Sequence, residues 1–525
     1  MGEVIWSLLW KIMPLSMRRS LSHRIQLLQH RAVISLPRSE ISLFTGSAET
    51  ELLFRDKISD HYPFVIYDEE PLPPYTIITT CLNEAKSVVK WLHSVAGQNP
   101  LPKEVIIVDG GSTDGTPELV RAWDRAQPTS TKRLSIRLIL EPGVNIAQGR
   151  NRAISLVTKT SLILLSDLGC ELDLQWANYL VRAFSIDPRL DVAMGWYEVK
   201  YGTRLAEAVA GLIVPKLAQL DPQIYLPSAR SLALRRHVWE QVGGFPEFLT
   251  HAGEDSLFDF YLKCSPARFA FVPDAVVQWN FPSSFLGLFR MISRYGRGDA
   301  EGGVISWAHY LWLSKHAAFG LLELVLGAML GVLALSLASA GLGILALIFT
   351  LAFIRRTISC LAKYQPTTRD VTLRAKFERS VARVVVALGQ LTGFLRGVLA
   401  RREVERRRIL SAPLGHLLVF ANQGADSFIE LQLRLGWFVT RICEKGKHST
   451  TTSQVHPHYE FYYLDEFDIQ AWLGKHLPLI NEHKRRFEYC CFGEGSSFDN
   501  SIHALDASGA VEYRQTPTLD TASLG

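Results

Sequence analysis

Residues 317–354 run for 38 positions with a single formal charge, Glu323, and no other feature limits the architecture of this chain as strongly. One straight helix of that length would span about 57 Å, nearly twice the ~30 Å of a bilayer's hydrocarbon core. Ser336-Leu-Ala-Ser-Ala-Gly341 divides the run in two, which predicts a hairpin of two transmembrane helices with both ends on one side; a buried two-helix core is the alternative. Arg355-Arg356 follows at once, and residues 355–408 carry 14 Lys/Arg against 4 Asp/Glu in a chain of net charge +5. The positive-inside rule then sets both termini, and the residues before the hairpin, in the cytoplasm. Residues 382–400 are apolar again, but Arg383 and Arg396 interrupt them. A third span would carry the Arg401-Arg402 and Arg406-Arg407-Arg408 clusters outside, so an interfacial helix on anionic lipid is expected there.

Composition excludes several function classes. At 48% hydrophobic and 20% charged residues, disorder over most of the chain is ruled out. A charge of +5 spread over 525 residues does not suit nucleic-acid binding. The seven cysteines are dispersed apart from Cys490-Cys491, so neither a disulfide framework nor a zinc site is implied. The leader, residues 1–70, holds a short apolar run, Val4–Met13, with Arg18-Arg19 after it, which is not the order of a secretory signal. A helix on the membrane surface and a helix packed on the next domain both suit it. Residues 409–525 form a C-terminal extension: Phe461–Asp468 reads as ordered and the last thirty residues, rich in Ser and Thr, as disordered.

Between 71 and 283, strand-like and helix-like runs alternate. Tyr75–Thr80, Glu104–Val108, Leu134–Leu140 and Ser161–Leu165 read as strands, and 84–97 and Ala147–Val157 as helices. Thr116 is placed to cap a further helix, with Pro117 at its first position. Such alternation predicts an α/β domain built on a mainly parallel sheet, with ligands at the carboxyl ends of the strands. Asp109 and Asp167 each follow an apolar strand directly.

No Walker A motif, HExxH or dinucleotide fingerprint is present, and Asp114 stands where a nucleophile elbow needs glycine. What is present is an ordered set: Thr76–Glu84, Val108-Asp-Gly-Gly-Ser-Thr-Asp-Gly-Thr116, Gly149-Arg-Asn-Arg152, Asp167 and Gly253-Glu-Asp255. Together these resemble the family 2 inverting glycosyltransferases of the A-type glycosyltransferase fold, over about residues 74–300. Pro227–Ala233, Gly243–Asp255 and Arg294-Tyr-Gly-Arg-Gly-Asp299 look closest to a membrane-linked bacterial subgroup. The resemblance implies a catalytic domain over 71–300, a nucleoside diphosphate sugar donor and a hydroxyl acceptor that is lipid-linked or part of an envelope glycan. It also implies an inner-membrane location with the catalytic domain facing the cytoplasm, membrane lipids as partners, and no nucleic acid.

By the same resemblance, Glu84, Asp109, Arg150 and Asp167 bind the nucleotide sugar, Asp255 is the general base of a Glu254-Asp255 pair, and Asp167 holds a divalent cation, Mg²⁺ or Mn²⁺. Gly169 replaces the second acid of the family's Asp-x-Asp motif, which leaves one protein carboxylate for the metal. Arg230, Arg294 and Arg297, with Arg152, are candidates for diphosphate or acceptor-phosphate contacts, since guanidinium forks match phosphate geometry. Arg294-Tyr-Gly-Arg297 lacks the Gln and Trp of processive members. Trp279 suits a sugar pocket or the core equally. The alternatives are a non-catalytic membrane scaffold that keeps a nucleotide-sugar pocket, and a hairpin protein whose tail is the functional part.

Overall fold

The computed structural model describes residues 72–512 except 129–132, 223–224, 251, 266, 303–306, 338–339, 363–372 and a series of short stretches beyond 412 that includes 444–455, 464–468 and 493–510. The leader with its Val4–Met13 run lies outside the described residues, as do the last thirty residues apart from Val511–Glu512. The chain divides into two compact units. One is Met1–Glu70 with Pro266–Phe269, almost wholly outside the described residues, and the other is Pro71–Ser265 with Ala270–Gly525.

In the second unit the elements follow as β1 (Tyr75–Cys81), α1 (Val88–Ala96), β2 (Glu104–Asp109), α2 (Thr116–Ala126), β3 (Ile136–Leu140), α3 (Ile146–Ser155), β4 (Leu162–Leu165), β5 (Cys170–Leu172) and α4 (Trp176–Ile186). Then come β6 (Val192–Lys200), α5 (Arg204–Ile213), β7 (Leu232–Arg235), α6 (Arg236–Gln241), α7 (Glu254–Cys264), β8 (Phe269–Asn280) and α8 (Phe285–Gly302). Eight strands make one sheet in the order β3-β2-β1-β4-β7-β6-β8-β5. The half from β3 to β4 is parallel as expected, whereas β7 runs antiparallel to β4 and β6, and β5 antiparallel to β8. Every residue of β2 is buried, as suits a central parallel strand covered on both faces. α3 packs on β1 and β2, and it lies close because Gly149 has no side chain: a Cβ there would stand 2.6 Å from Thr80 Cγ2.

Two local expectations differ from the structure. The helix expected from residue 84 begins at Val88, because Glu84 N–H donates to Thr116 Oγ1 (2.8 Å) and Ala85 N–H to Asp114 (2.9 Å), leaving 84–87 as a turn. Thr116 is not the cap of α2 but its first residue. Gly115, at φ 90°, is the N-cap, a left-handed position that glycine adopts without strain.

The 317–354 run falls on two helices in contact, α9 (Trp307–Ser336) and α10 (Ala340–Ala362), both reaching beyond it. Gly327 lets them approach, with Thr350 and Ala346 opposite. Met329, Val332, Leu335, Ile344 and Leu347 are exposed. α11 (Leu373–Ser411) follows, and its residues Glu378–Ser411 form the one stretch among those described that is long and apolar enough to cross a membrane. The shorter apolar stretches Val325–Ser336 and Ala340–Arg355 belong to the hairpin.

Packing qualifies that hydropathy. One face of α11 is buried on α5 and α8, with Ala382, Val385 and Val386 joining Val209, Leu288 and Ile292 in one core. Gly389, Gly393 and Gly397 form the seam: a Cβ at Gly393 would stand 2.0 Å from the Ser293 carbonyl oxygen, and one at Gly397 2.6 Å from Ala300 Cβ. The opposite face leaves Val384, Leu388, Leu395 and Leu399 exposed. At 3.6 residues per turn these four fall within a sector of about 60°. α11 is thus seated on the α/β domain by one face and leaves an apolar strip on the other.

The C-terminal extension is more ordered than its sequence suggests. β9 (Gly415–Ala421), β10 (Trp437–Cys443), β11 (Tyr459–Tyr463), β12 (Arg486–Phe492) and β13 (Val511–Glu512) form a wholly parallel sheet in the order β11-β10-β9-β12-β13. The helix α12 (Ile469–Glu482) leads from β11 to β12.

Candidate active site

The site forms where β1, β2 and β4 end, as the rule for parallel sheets requires. Two loops are stitched together there. Asn83, in the left-handed region at φ 60°, accepts from Thr113 N–H (2.9 Å), and its own N–H donates to Ser112 Oγ (2.7 Å). Asp109 is buried at the end of β2, where one carboxylate oxygen accepts from Gly111 and Ser112 N–H (2.9 and 2.8 Å) and the other from the Cys81 thiol (3.2 Å). Burial acts to raise this carboxyl, but those hydrogen bonds outweigh it and hold it below the usual range. Both of its oxygens therefore shape the loop. Glu84 is half-buried and takes the Ser87 hydroxyl. Burial, together with the charges of Asp167 and Asp114, raises its carboxyl.

Arg150, on α3, joins parts of the chain that are far apart in sequence. It is buried, and donates from Nη2 to Asp167 (2.8 Å) and from Nη1 to Glu254 (2.7 Å). Asp167 is a third exposed, with Arg230 Nε 3.8 Å from its second oxygen. Burial would raise the Asp167 carboxyl, but the two guanidiniums hold it low. Glu254 is the first residue of α7 and Gly253, at φ 87°, is its N-cap. Burial and the adjacent Asp255 push Glu254 up to about 7 against the pull of Arg150. Asp255 is half-buried; one oxygen accepts from Ser256 N–H (2.8 Å) and the other faces Ser228 Oγ at 3.5 Å. The adjacent carboxylates are thus divided in role: Glu254 points inward to Arg150, and Asp255 points toward the 228–230 segment.

Arg230 is held by aromatic rings. Its guanidinium lies 4.1 Å from the Trp279 ring centre and 5.4 Å from that of Tyr197, and donates to Ser228 Oγ (2.7 Å) and the Tyr295 hydroxyl (3.4 Å). Trp279 therefore serves the site rather than the core alone. The other arginines behave differently. Arg294 is exposed on α8. Arg297 pairs with buried Glu301 (2.7 Å), which also accepts from Thr250 N–H and Oγ1, so Arg297 braces the loop that leads to Glu254. Arg152 pairs with Glu141, outside the cluster. Tyr295, Ser228 and Tyr197 were not legible as site residues. Tyr295 lies in the same Arg-Tyr-Gly-Arg run as Arg294, and only the phase of α8 selects it.

The expected divalent cation meets a sparse set of donors. Such ions take six or more oxygens. Asp167 is already paired with two arginines, Gly169 supplies no side chain, and Glu171 is turned to Lys200 (2.7 Å). Among the described residues no group of three His, Cys, Asp or Glu side chains is arranged to hold a metal. Asp167 is thus a carboxylate already shared with two arginines, and a divalent cation there would draw its remaining ligands from donor phosphate oxygens and water.

Comparison with known proteins is informative over this domain. The profile of glycosyl transferase family 2 matches residues 76–235. Glycosyltransferase AglE of Haloferax volcanii is 30% identical over 187 residues, which cover 35% of this chain and 59% of that protein. The match thus spans about three fifths of the relative's length. Among solved structures, the mannosyltransferase PcManGT from Pyrobaculum calidifontis, in complex with GDP-Man and Mn²⁺, aligns with a TM-score of 0.38 and 16% identity over 63% of this chain and 90% of that one. TarS 1–349 of S. aureus, in complex with UDP-GlcNAc, gives 0.33 and 17% over 60% and 90%. Residues 76–235 of this chain thus match glycosyl transferase family 2, and the match is confined to that stretch.

Proposed function

We propose that this chain transfers a sugar from a nucleoside diphosphate sugar to a hydroxyl by a single inverting displacement. The observation that carries the reading is the Arg150 bridge between Asp167 and Glu254, which brings the end of β4 and the start of α7 to one point beside Asp255. Glu84 and Asp109 mark where the nucleoside sits, at the ends of β1 and β2. Asp255 takes the acceptor O–H proton as the acceptor oxygen bonds to the anomeric carbon. The bond from that carbon to the diphosphate breaks, and the electron pair leaves with the diphosphate. Buried guanidiniums, which cannot lose their charge, are suited to stabilise that departing anion. The test is incubation of the full chain with a panel of nucleotide sugars and a membrane extract. Release of nucleoside diphosphate with transfer of label, and a product anomer opposite to the donor's, is the expected result. Transfer with retained configuration would exclude the single displacement, and no release from any donor would favour a scaffold.

The exposed apolar surfaces of α9, α10 and the outer face of α11 support membrane anchoring and, with it, a lipid-linked or envelope-glycan acceptor. In this reading the hairpin spans the inner membrane and the catalytic domain faces the cytoplasm. A reporter fused at residue 360 is expected to read cytoplasmic and one inserted at residue 338 periplasmic. Two reporters on the same side would overturn the hairpin topology.

A further inference from the structure

At the carboxyl end of β4 the Asp167 carboxylate faces two guanidiniums, and Gly169 stands where a second acid would follow it. A Cβ added to Gly169 meets nothing within 4 Å, so the missing acid is not excluded by crowding. One oxygen of Asp167 accepts from Arg150 Nη2 at 2.8 Å, and the other faces Arg230 Nε at 3.8 Å, beyond hydrogen-bond reach. A divalent ion bound at Asp167 would compete with Arg150 for that carboxylate, and Arg150 is buried. Displacing it would leave a guanidinium charge in the interior with Glu254 alone as partner, an unfavourable exchange.

The arginines are also fixed in advance. Arg150 is held between two acids and above the Phe245 ring. Arg230 is held by Trp279, Tyr197, Ser228 and Tyr295. Arg230 Nε is a buried donor with no hydrogen-bond acceptor. A buried N–H without an acceptor is costly and marks a place for one, and an anionic diphosphate oxygen has the right chemistry. Fixed cations aimed at developing charge need no reorganisation when the bond breaks.

We propose that Arg150 and Arg230 together replace the divalent cation at this site, so that the donor diphosphate is bound and released without a metal. This rests on the nucleotide-sugar reading above. The test uses the full chain in detergent, a panel of UDP- and GDP-sugars, and calorimetric affinities in EDTA, Mg²⁺ and Mn²⁺. The expected result is a donor affinity that agrees within about threefold across the three conditions. Arg230→Gln is expected to weaken donor binding by about tenfold or more, equally in EDTA and Mn²⁺, as loss of a charge-assisted contact does. Gly169→Asp, which restores the second acid into open space, is expected to make affinity rise with Mn²⁺. Donor binding that needs Mg²⁺ or Mn²⁺ in the wild-type chain would overturn the inference and leave the donor reading intact. No binding of any nucleotide sugar in any condition would overturn both.

Discussion

Asp255→Asn is expected to lower turnover by about 10²–10⁴-fold, the usual contribution of a positioned base, while donor affinity stays within about twofold of wild type. The substitution is nearly isosteric. The introduced amide keeps an oxygen for the Ser256 N–H but loses the negative charge and with it the ability to take a proton. Helix α7 keeps its N-cap, Gly253, in the variant. The diphosphate contacts assigned to Arg150 and Arg230 do not involve Asp255 directly, so loss of the base leaves them in place. Single-turnover rates alongside donor affinity on folded protein separate the two effects. Near-normal turnover of the variant would remove Asp255 from the chemistry and move the base to Glu254.

Gly393→Ala is expected to be among the most destabilising single-methyl changes in the chain. The new Cβ would stand 2.0 Å from the Ser293 carbonyl oxygen and 2.9 Å from Arg297 N, both backbone atoms of α8 that cannot turn aside. Overpacking of this kind costs about 1–3 kcal/mol, more where backbone must shift. In a domain of about 200 residues that corresponds to a fall of roughly 2–12 °C in Tm. Gly343→Ala on α10, where a Cβ meets nothing within 4 Å, is the control. It is expected to be neutral or mildly stabilising, since alanine favours helix more than glycine does. An unchanged Tm for Gly393→Ala would mean that α11 is not seated on α8 as described.

The parallel half of the catalytic sheet was legible because its strands are short apolar runs, rich in β-branched residues and ended by Asp-Gly or Ser-Asp. Arg150, Asp167 and Glu254, which the structure joins, are marked together with Asp255 by the family resemblance. The antiparallel half of the sheet was not legible. β6 is buried over Val192–Trp196 and then alternates outward from Tyr197 to Lys200, so no single period describes it. The C-terminal sheet was hidden by its own interior, since β9, β10 and β11 bury His416, Thr440, Arg441 and Glu460 and their apolar pattern is broken where it should be strongest. Arg294 and Arg297 were placed with the phosphate contacts because both are arginines near the motif. Which of residues 294–297 faces the site depends on the phase of α8 against α11, and that phase is fixed by glycines some hundred positions later.

α8 lies between the Glu254-Asp255 pair and α11 and makes its tightest approaches to both through glycines. Gly298 meets the Ala252 carbonyl, where a Cβ would stand at 2.2 Å, and Gly253 meets Gly298; on the other face Gly393 and Gly397 meet the backbone at Ser293 and Arg297. Side chains absorb small displacements by turning to another rotamer, and backbone in contact with backbone has no such compliance. The position of Asp255 is therefore gauged against α11 through a stack of main chain, much as a machined part is set by a shim. A small tilt of α11 is therefore expected to reach Asp255 through α8 with little give from side chains along that path.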